Sequence, residues 1–160
     1  MSALCLARFR LLCFPTMNIQ SEASVSSGTA QKLALQLPFG LIGFRHLTHF
    51  EVETVPGSEP FQILRSLGAE SLEFVVVEPR HILDTYEISL RDEDAESLRL
   101  SNQADALVFN VVVIHSLEPQ YVTVNLVGPI VVNRLTLLGQ QVLIANSADF
   151  SVEHALVDHR

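Results

Sequence analysis

The stretch Tyr121-Val-Thr-Val-Asn-Leu-Val-Gly-Pro-Ile-Val-Val-Asn133 restricts the fold of this chain more than any other. Val122, Val124 and Leu126 alternate with Thr123 and Asn125, the period-2 pattern of a strand with one buried face. Pro129 has no N–H to give to a ladder, so it belongs at an edge, a strand start or a bulge. Ile130-Val-Val132 resumes the apolar run. Asn133 closes it with a side chain able to bond its own backbone at a bend. The stretch predicts a sharply bent core strand hinged at Gly128-Pro129, with packing rather than ligand contact as the role of its apolar residues.

The rest of the chain repeats the strand pattern in shorter pieces. Lys32–Leu37 alternates leucines with polar residues, and Pro38-Phe-Gly-Leu-Ile-Gly-Phe44 reads as a tight turn. Gly40-Leu-Ile-Gly43 has the spacing of the KH RNA-binding loop. Those loops are basic and join helices, whereas here the flanks are strand-like and acidic. Thr48–Val55 predicts a strand with Phe50 and Val52 inside, ended by Pro56-Gly57. Pro60–Leu67 spaces Phe61, Leu64 and Leu67 helically behind a proline and ahead of Gly68, which predicts a short helix or single turn. Leu72–Val77 and Tyr86–Leu90 predict strands. Asp92–Leu98 predicts a short helix whose acidic first turn suits the positive end of the helix dipole. Asp105–His115 holds the longest apolar run, Leu107 to Ile114, broken only by Asn110, and predicts a central strand. Leu135–Ile144 carries Gly139 in its middle, the signature of a bulge or two-part hairpin. After Ser147 the pattern is weak. Strands outnumber helices with few βα alternations. The expected fold is therefore mostly β: bent, partly coiled antiparallel sheets forming a barrel-like single domain with one or two short helices.

At 160 residues, 48% of them hydrophobic, the chain is long and apolar enough for one folded domain without staples. The charge is uneven. Residues 39–160 hold seven Arg, no Lys and seventeen Asp or Glu, a net of −10. Such a domain repels nucleic acid and attracts a basic protein. Cys5 and Cys13 both precede the patterned region, which leaves it without a disulfide framework or a thiolate metal site. Residues 1–31 read as a disordered N-terminal tail and 32–157 as the β domain. Arg8 and Arg10 split the apolar residues of Met1–Pro15, so no signal-peptide core forms. No stretch has the apolar length of a membrane-spanning helix. Ser21–Ala30 reads as a flexible linker. Met17 lies just ahead of it and is the expected natural start, with residues 1–16 a start-site artefact.

No catalytic constellation is legible. The chain lacks a Gly-x-Ser-x-Gly elbow, a phosphate-cradling glycine loop and a His-Glu-x-x-His pair. His46 and His49 are spaced to point to opposite faces of a strand. His81, His115, His154 and His159 are scattered. Glu51 and Glu53 share a strand face and are expected to face solvent. No cofactor and no metal are expected. Asp92, Glu93, Asp94 and Glu96 form the densest negative run and are the candidate partner-binding residues.

Several segments, in order, resemble the FliW family of bacterial flagellar assembly factors. Phe39-Gly-Leu-Ile-Gly-Phe44 looks like the family's early Gly-Leu-x-Gly-Phe turn. Pro60-Phe-Gln-Ile-Leu-Arg-Ser-Leu67 is similar to its Pro-Phe-x-x-Leu-x-Ser-Leu segment. Phe74-Val-Val-Val-Glu-Pro79 resembles its Phe-x-Val-x-x-Pro strand end, and Tyr86 falls where a Tyr is usual. Thr123–Asn133 resembles its Thr-x-Asn-Leu-x-x-Pro-Ile-x-x-Asn segment, followed by Gly139-Gln-Gln-Val142. The match spans about residues 33–155. It leaves Gly40, Gly43, Phe44, Asn125, Pro129 and Asn133 as signature positions with a structural role.

The resemblance implies a cytoplasmic, non-enzymatic protein with two protein partners and no direct nucleic-acid or membrane contact. One partner is flagellin, bound before export. The other is CsrA, a small basic RNA-binding dimer that represses flagellin mRNA translation. Family members free of flagellin bind and antagonise it. The acidic balance suits a basic partner. The competing expectation is a small-molecule-binding or hydrolytic β-barrel, which would show a concave pocket with convergent polar groups.

Overall fold

The bend at Gly128-Pro129 sets the architecture, because the two halves of one stretch become partners of one long strand. The computed structural model describes residues 9–12, 31–118 and 120–156. In chain order the elements are β1 (Phe9–Leu12), β2 (Lys32–Gln36), β3 (His49–Glu53), β4 (Phe61–Ser66), β5 (Glu73–Val77), β6 (Glu87–Leu90), α1 (Asp92–Ser97), β7 (Ala106–Leu117), β8 (Gln120–Val124), β9 (Ile130–Asn133), β10 (Gly139–Gln141) and β11 (His154–Ala155). The main sheet runs β10-β9-β7-β5-β4-β3-β2, with β8 on β7 and β11 on β8. Its ladders are antiparallel. β7 takes β9 along Ala106–Phe109 and β8 from Val112 onward. The five residues between β8 and β9 make the predicted hinge, and Pro129 stands at the strand start where its missing N–H removes no ladder bond. The sheet curls until its ends meet at one point, where Gln36 N–H donates to Leu137 O at 3.0 Å. The result is barrel-like without a closing ladder.

Two cores flank the bent strands. Leu35, Phe50, Leu64, Val76, Phe109, Ile130 and Val132 fill the barrel. Val108, Val112, Val124 and Val131 face the other way, onto Tyr86, Ile88, Leu90 and Leu98. This double burial explains why β9 is a continuous apolar run rather than an alternating one. Tyr86, almost fully buried, donates its hydroxyl to Leu126 O and accepts from Asn110 Nδ2, locking the hinge to β7. Its ring meets Phe150 edge to face, at a centroid distance of 4.9 Å.

Most strand expectations agree with these elements, and the exceptions have physical reasons. Pro60–Leu67 is no helix: Phe61–Ser66 is a strand paired with β3 on one side and β5 on the other. Its inward residues, Leu64 and Ser66, follow period 2, and Leu67 is exposed. Two ladders outweigh a three-residue spacing that an eight-residue window cannot distinguish from chance. Phe9–Leu12, placed in the tail by the sequence reading, pairs as a strand with β6. The remainder of that tail and the Met17 start lie outside the described residues. Gly139 opens β10 rather than forming a bulge. Glu51 and Glu53 do not simply face solvent. They are half-buried, and Lys32 Nζ reaches Glu51 at 2.8 Å while Arg65 reaches Glu53 at 3.3 Å and Glu73 at 2.8 Å. The bond to Glu51 raises the Lys32 pKa, and the bond to Glu73 raises that of Arg65. Among the described residues no helix is long and apolar enough to cross a membrane.

Candidate protein-binding groove

One groove collects side chains from segments far apart in sequence. It has a volume of about 290 Å³ and lies at the rim of the barrel core. Phe74 of β5, Val113 of β7 and Thr123 of β8 contribute from the sheet. Ile42 from the 38–44 turn and Val152 from the segment before β11 contribute from above. Ile42 and Val152 are well exposed, at 68% and 57%. Phe44 packs edge to face on Phe74, at 5.5 Å between centroids.

The turn is held over the groove by its own backbone and by one glutamine. Gly40 sits at φ 61°, and a Cβ there would lie 2.4 Å from Phe44 O. Gly43 is also left-handed, at φ 91°, but open around its Cα. Gln141 bridges two of the signature segments. Its Oε1 accepts from Ile42 N–H at 2.9 Å, and its Nε2 donates to Gly128 O at 3.1 Å. The hinge beyond is an Asx turn: Asn125 Oδ1 accepts from Val127 N–H at 3.0 Å and Gly128 N–H at 2.9 Å.

The other faces of these elements serve the fold. Asn133 is buried and joins β9 to the end of α1. Its Nδ2 donates to Leu98 O and Arg99 O, each at 3.0 Å, satisfying carbonyls that a helix end leaves unpaired. Its Oδ1 accepts from Leu135 N–H at 2.9 Å. His115, by contrast, lines the groove with Thr123, its Nε2 2.8 Å from Thr123 Oγ1, and stacks against Tyr121. His46 pairs with Glu70 at 3.1 Å, and His49 contacts Thr48.

The acidic run divides. Asp92, Glu93 and Glu96 are exposed, but Asp94 is 3% exposed and faces inward. It accepts from Arg91 Nε at 2.9 Å and from Gln140 Nε2 at 3.1 Å. Its bond and then its charge raise the Arg91 pKa. Asp94 is thus a structural anchor, not a contact residue. Ala95 and Leu98, on the same helical face, are buried with it. Asp94→Ala is expected to lower stability by about 1–2 kcal/mol, the worth of charged hydrogen bonds whose partners stay partly solvated. Urea unfolding of this variant beside Glu96→Ala, expected to be neutral, checks it.

A larger open cleft of about 530 Å³ lies between β2, β3, β4 and the segment after β5. Its cations are engaged within the chain. Lys32 meets Glu51, Arg80 meets Glu78 at 2.8 Å, and Arg134 reaches Ala104 O at 3.4 Å.

Four of the segments that carry the family resemblance meet at the groove, beside Val113 of β7 and Val152. The profile of the FliW protein family matches residues 18–156. The chain belongs to the FliW family. Among its FliW relatives, the flagellar assembly factor FliW of Clostridium botulinum (strain Alaska E43 / Type E3) is 34% identical over 74% of this chain and 83% of its own. The flagellar assembly factor FliW of Clostridium novyi (strain NT) is 37% identical over 73% of this chain and 80% of its own. A second C. botulinum FliW (strain Okra / Type B1) covers 88% of this chain and 96% of its own at 32% identity. A crystal structure of a flagellar assembly factor FliW superposes with a TM-score of 0.70 at 29% identity, covering 79% of this chain and 87% of that one. As a FliW-family flagellar assembly factor, the chain shares the mostly β, antiparallel fold expected from its sequence.

The residue roles are less evenly anticipated. Gly40, Gly43, Phe44, Asn125, Pro129 and Asn133 all occupy turns or joints. The groove beside them has no local signal.

Proposed function

We propose that this chain binds flagellin in the cytoplasm before export and, when free of it, binds CsrA and relieves repression of flagellin mRNA translation. It does so by protein contact, with no catalytic step. The observation that carries this reading is the groove. Four signature segments supply Ile42, Phe74, Asn125 and Gln141 to one surface that mixes exposed apolar side chains with amides. Exposed apolar residues in a concavity mark a protein-contact site more readily than a catalytic one. Charge adds to it: the only Lys or Arg between Leu100 and Leu156 is Arg134. A basic partner meets little like charge there, with Arg45 beside the 38–44 turn, and the exposed Asp92, Glu93 and Glu96 supply long-range attraction.

The test is calorimetry of the purified full chain against purified flagellin and purified CsrA. Each is expected to bind. Ile42→Ser with Val152→Ser, both at exposed positions, is expected to weaken at least one of the two complexes about tenfold, as removal of an interface anchor does. Charge reversal of Asp92, Glu93 and Glu96 to Lys is expected to weaken CsrA binding and flatten its salt dependence. Binding of neither protein by the wild-type chain overturns the proposal.

A further inference from the structure

β7 outruns its neighbour. Its pairing with β5 ends at Val75 opposite Val112, yet β7 continues to Leu117 with β8 on its other side. Among the described residues no strand pairs with the β5-side edge of β7 past Val112. Asn125 N–H donates to Val111 O, which fixes the alternation of the ladder. Val111 and Val113 turn their main-chain groups to the β8 side, so Val112 and Ile114 turn theirs to the β5 side. Val112 has Val75 opposite, and Ile114, which the register would set against Glu73 at the start of β5, has no ladder partner there. The overhang is apolar and exposed, with Ile114 at 50% and Leu117 at 75%. Natural sheets blunt such edges with lysine, proline or a covering loop. Between Val113 and Leu117 there is no lysine or proline, and the one such device present is a bulge between Ile114 and Ser116.

The groove adjoins this edge, since Phe74 and Val113 line it on either side of the split between β5 and β7. At the β7 end of the groove the formal charges are acidic, since Glu153 lines it and Glu118 follows β7, while Arg45 lies at the far end beside the 38–44 turn. We infer that the overhang of β7 takes up one extended segment of a basic partner protein by strand addition. That segment pairs its main chain with Ile114, places apolar side chains at alternate positions into the groove, and carries Lys or Arg at its flanks toward Glu118 and Glu153. This rests on the reading above that the surface meets a basic protein, and CsrA is the probe it supplies.

The experiment separates main chain from side chain. Ile114→Pro removes the N–H on the open edge while leaving the β8 ladder its bonds. Ile114→Ala removes the side chain and keeps the N–H. With fold checked by circular dichroism and thermal melting, Ile114→Pro is expected to weaken CsrA binding tenfold or more, and Ile114→Ala less than threefold. Hydrogen exchange of the wild-type chain is expected to slow tenfold or more across residues 113–117 when CsrA is added. Wild-type binding without that protection, or with Ile114→Pro binding as tightly as Ile114→Ala, overturns the strand addition and leaves the proposed function standing. No wild-type binding to CsrA or flagellin overturns both. Should Ile114→Pro not fold, the exchange result alone decides between these outcomes.

Discussion

Gly40→Ala is expected to cost this chain about 3 kcal/mol of stability, far more than the same change three residues on. Two terms add at Gly40. A left-handed backbone costs an alanine roughly 1–2 kcal/mol. A further 1–3 kcal/mol comes from forcing a methyl into filled space. The space is filled by main chain, with Phe44 O 2.4 Å and Arg45 Cα 2.7 Å from the added Cβ, so no side-chain rotation relieves it. Gly43 is the internal control. It is left-handed too, but nothing lies within 4 Å of its added Cβ. Only the first term applies there, about 1 kcal/mol. Urea denaturation of the two variants measures the difference directly. Equal losses would mean the close approach at Gly40 is not what holds the turn. The functional consequence follows from what the turn carries. Leu41 anchors it in the barrel core, and Ile42 and Phe44 line the groove. A chain that survives Gly40→Ala is expected to lose partner affinity as well as stability, whereas Gly43→Ala keeps both nearly intact.

The sequence exposed the hinge because its information is local: alternation on one side, a proline, and a second apolar run on the other. It misplaced Pro60–Leu67 because what makes that segment a strand is non-local. Phe61, Leu64 and Leu67 fit a helix as well as a strand, and only pairing with β3 and β5 decides between them. The groove was out of reach for the same reason. Ile42 and Gln141 are 99 residues apart, and no pattern within either segment announces their contact. Asp94 is a different kind of miss. Four residues before Leu98 and one before Ala95, it lies on the apolar face of a six-residue helix. A helical reading of the acidic run could have set it apart from Asp92, Glu93 and Glu96.

The two signature asparagines are expected to respond oppositely to one isosteric change. Asn125 uses its side chain as an acceptor, from Val127 N–H and Gly128 N–H. Asn125→Asp keeps the acceptor and adds a charge to both bonds, so it is expected to leave stability within about 1 kcal/mol of the parent at neutral pH. Asn133 uses both ends. Its Nδ2 donates to the carbonyls of Leu98 and Arg99 while its Oδ1 accepts from Leu135 N–H. In Asn133→Asp the donor becomes an acceptor facing two carbonyl oxygens, at a site 2% exposed. The group must ionise against those oxygens or take up a proton, and either course is expected to cost about 3–5 kcal/mol. Protonation restores one donor, so the loss is expected to shrink as pH falls from 7 toward 5. That is the behaviour of a carboxyl whose folded-state pKa is raised, because the charged form that burial penalises disappears first. Urea unfolding of both variants at the two pH values checks all of this. A loss at Asn133→Asp no larger than at Asn125→Asp would show that the tie between β9 and the end of α1 does not depend on the amide. The fold would then owe the placement of α1, and of its exposed acids, to the packing of Ala95 and Leu98 and to the bond between Asp94 and Gln140.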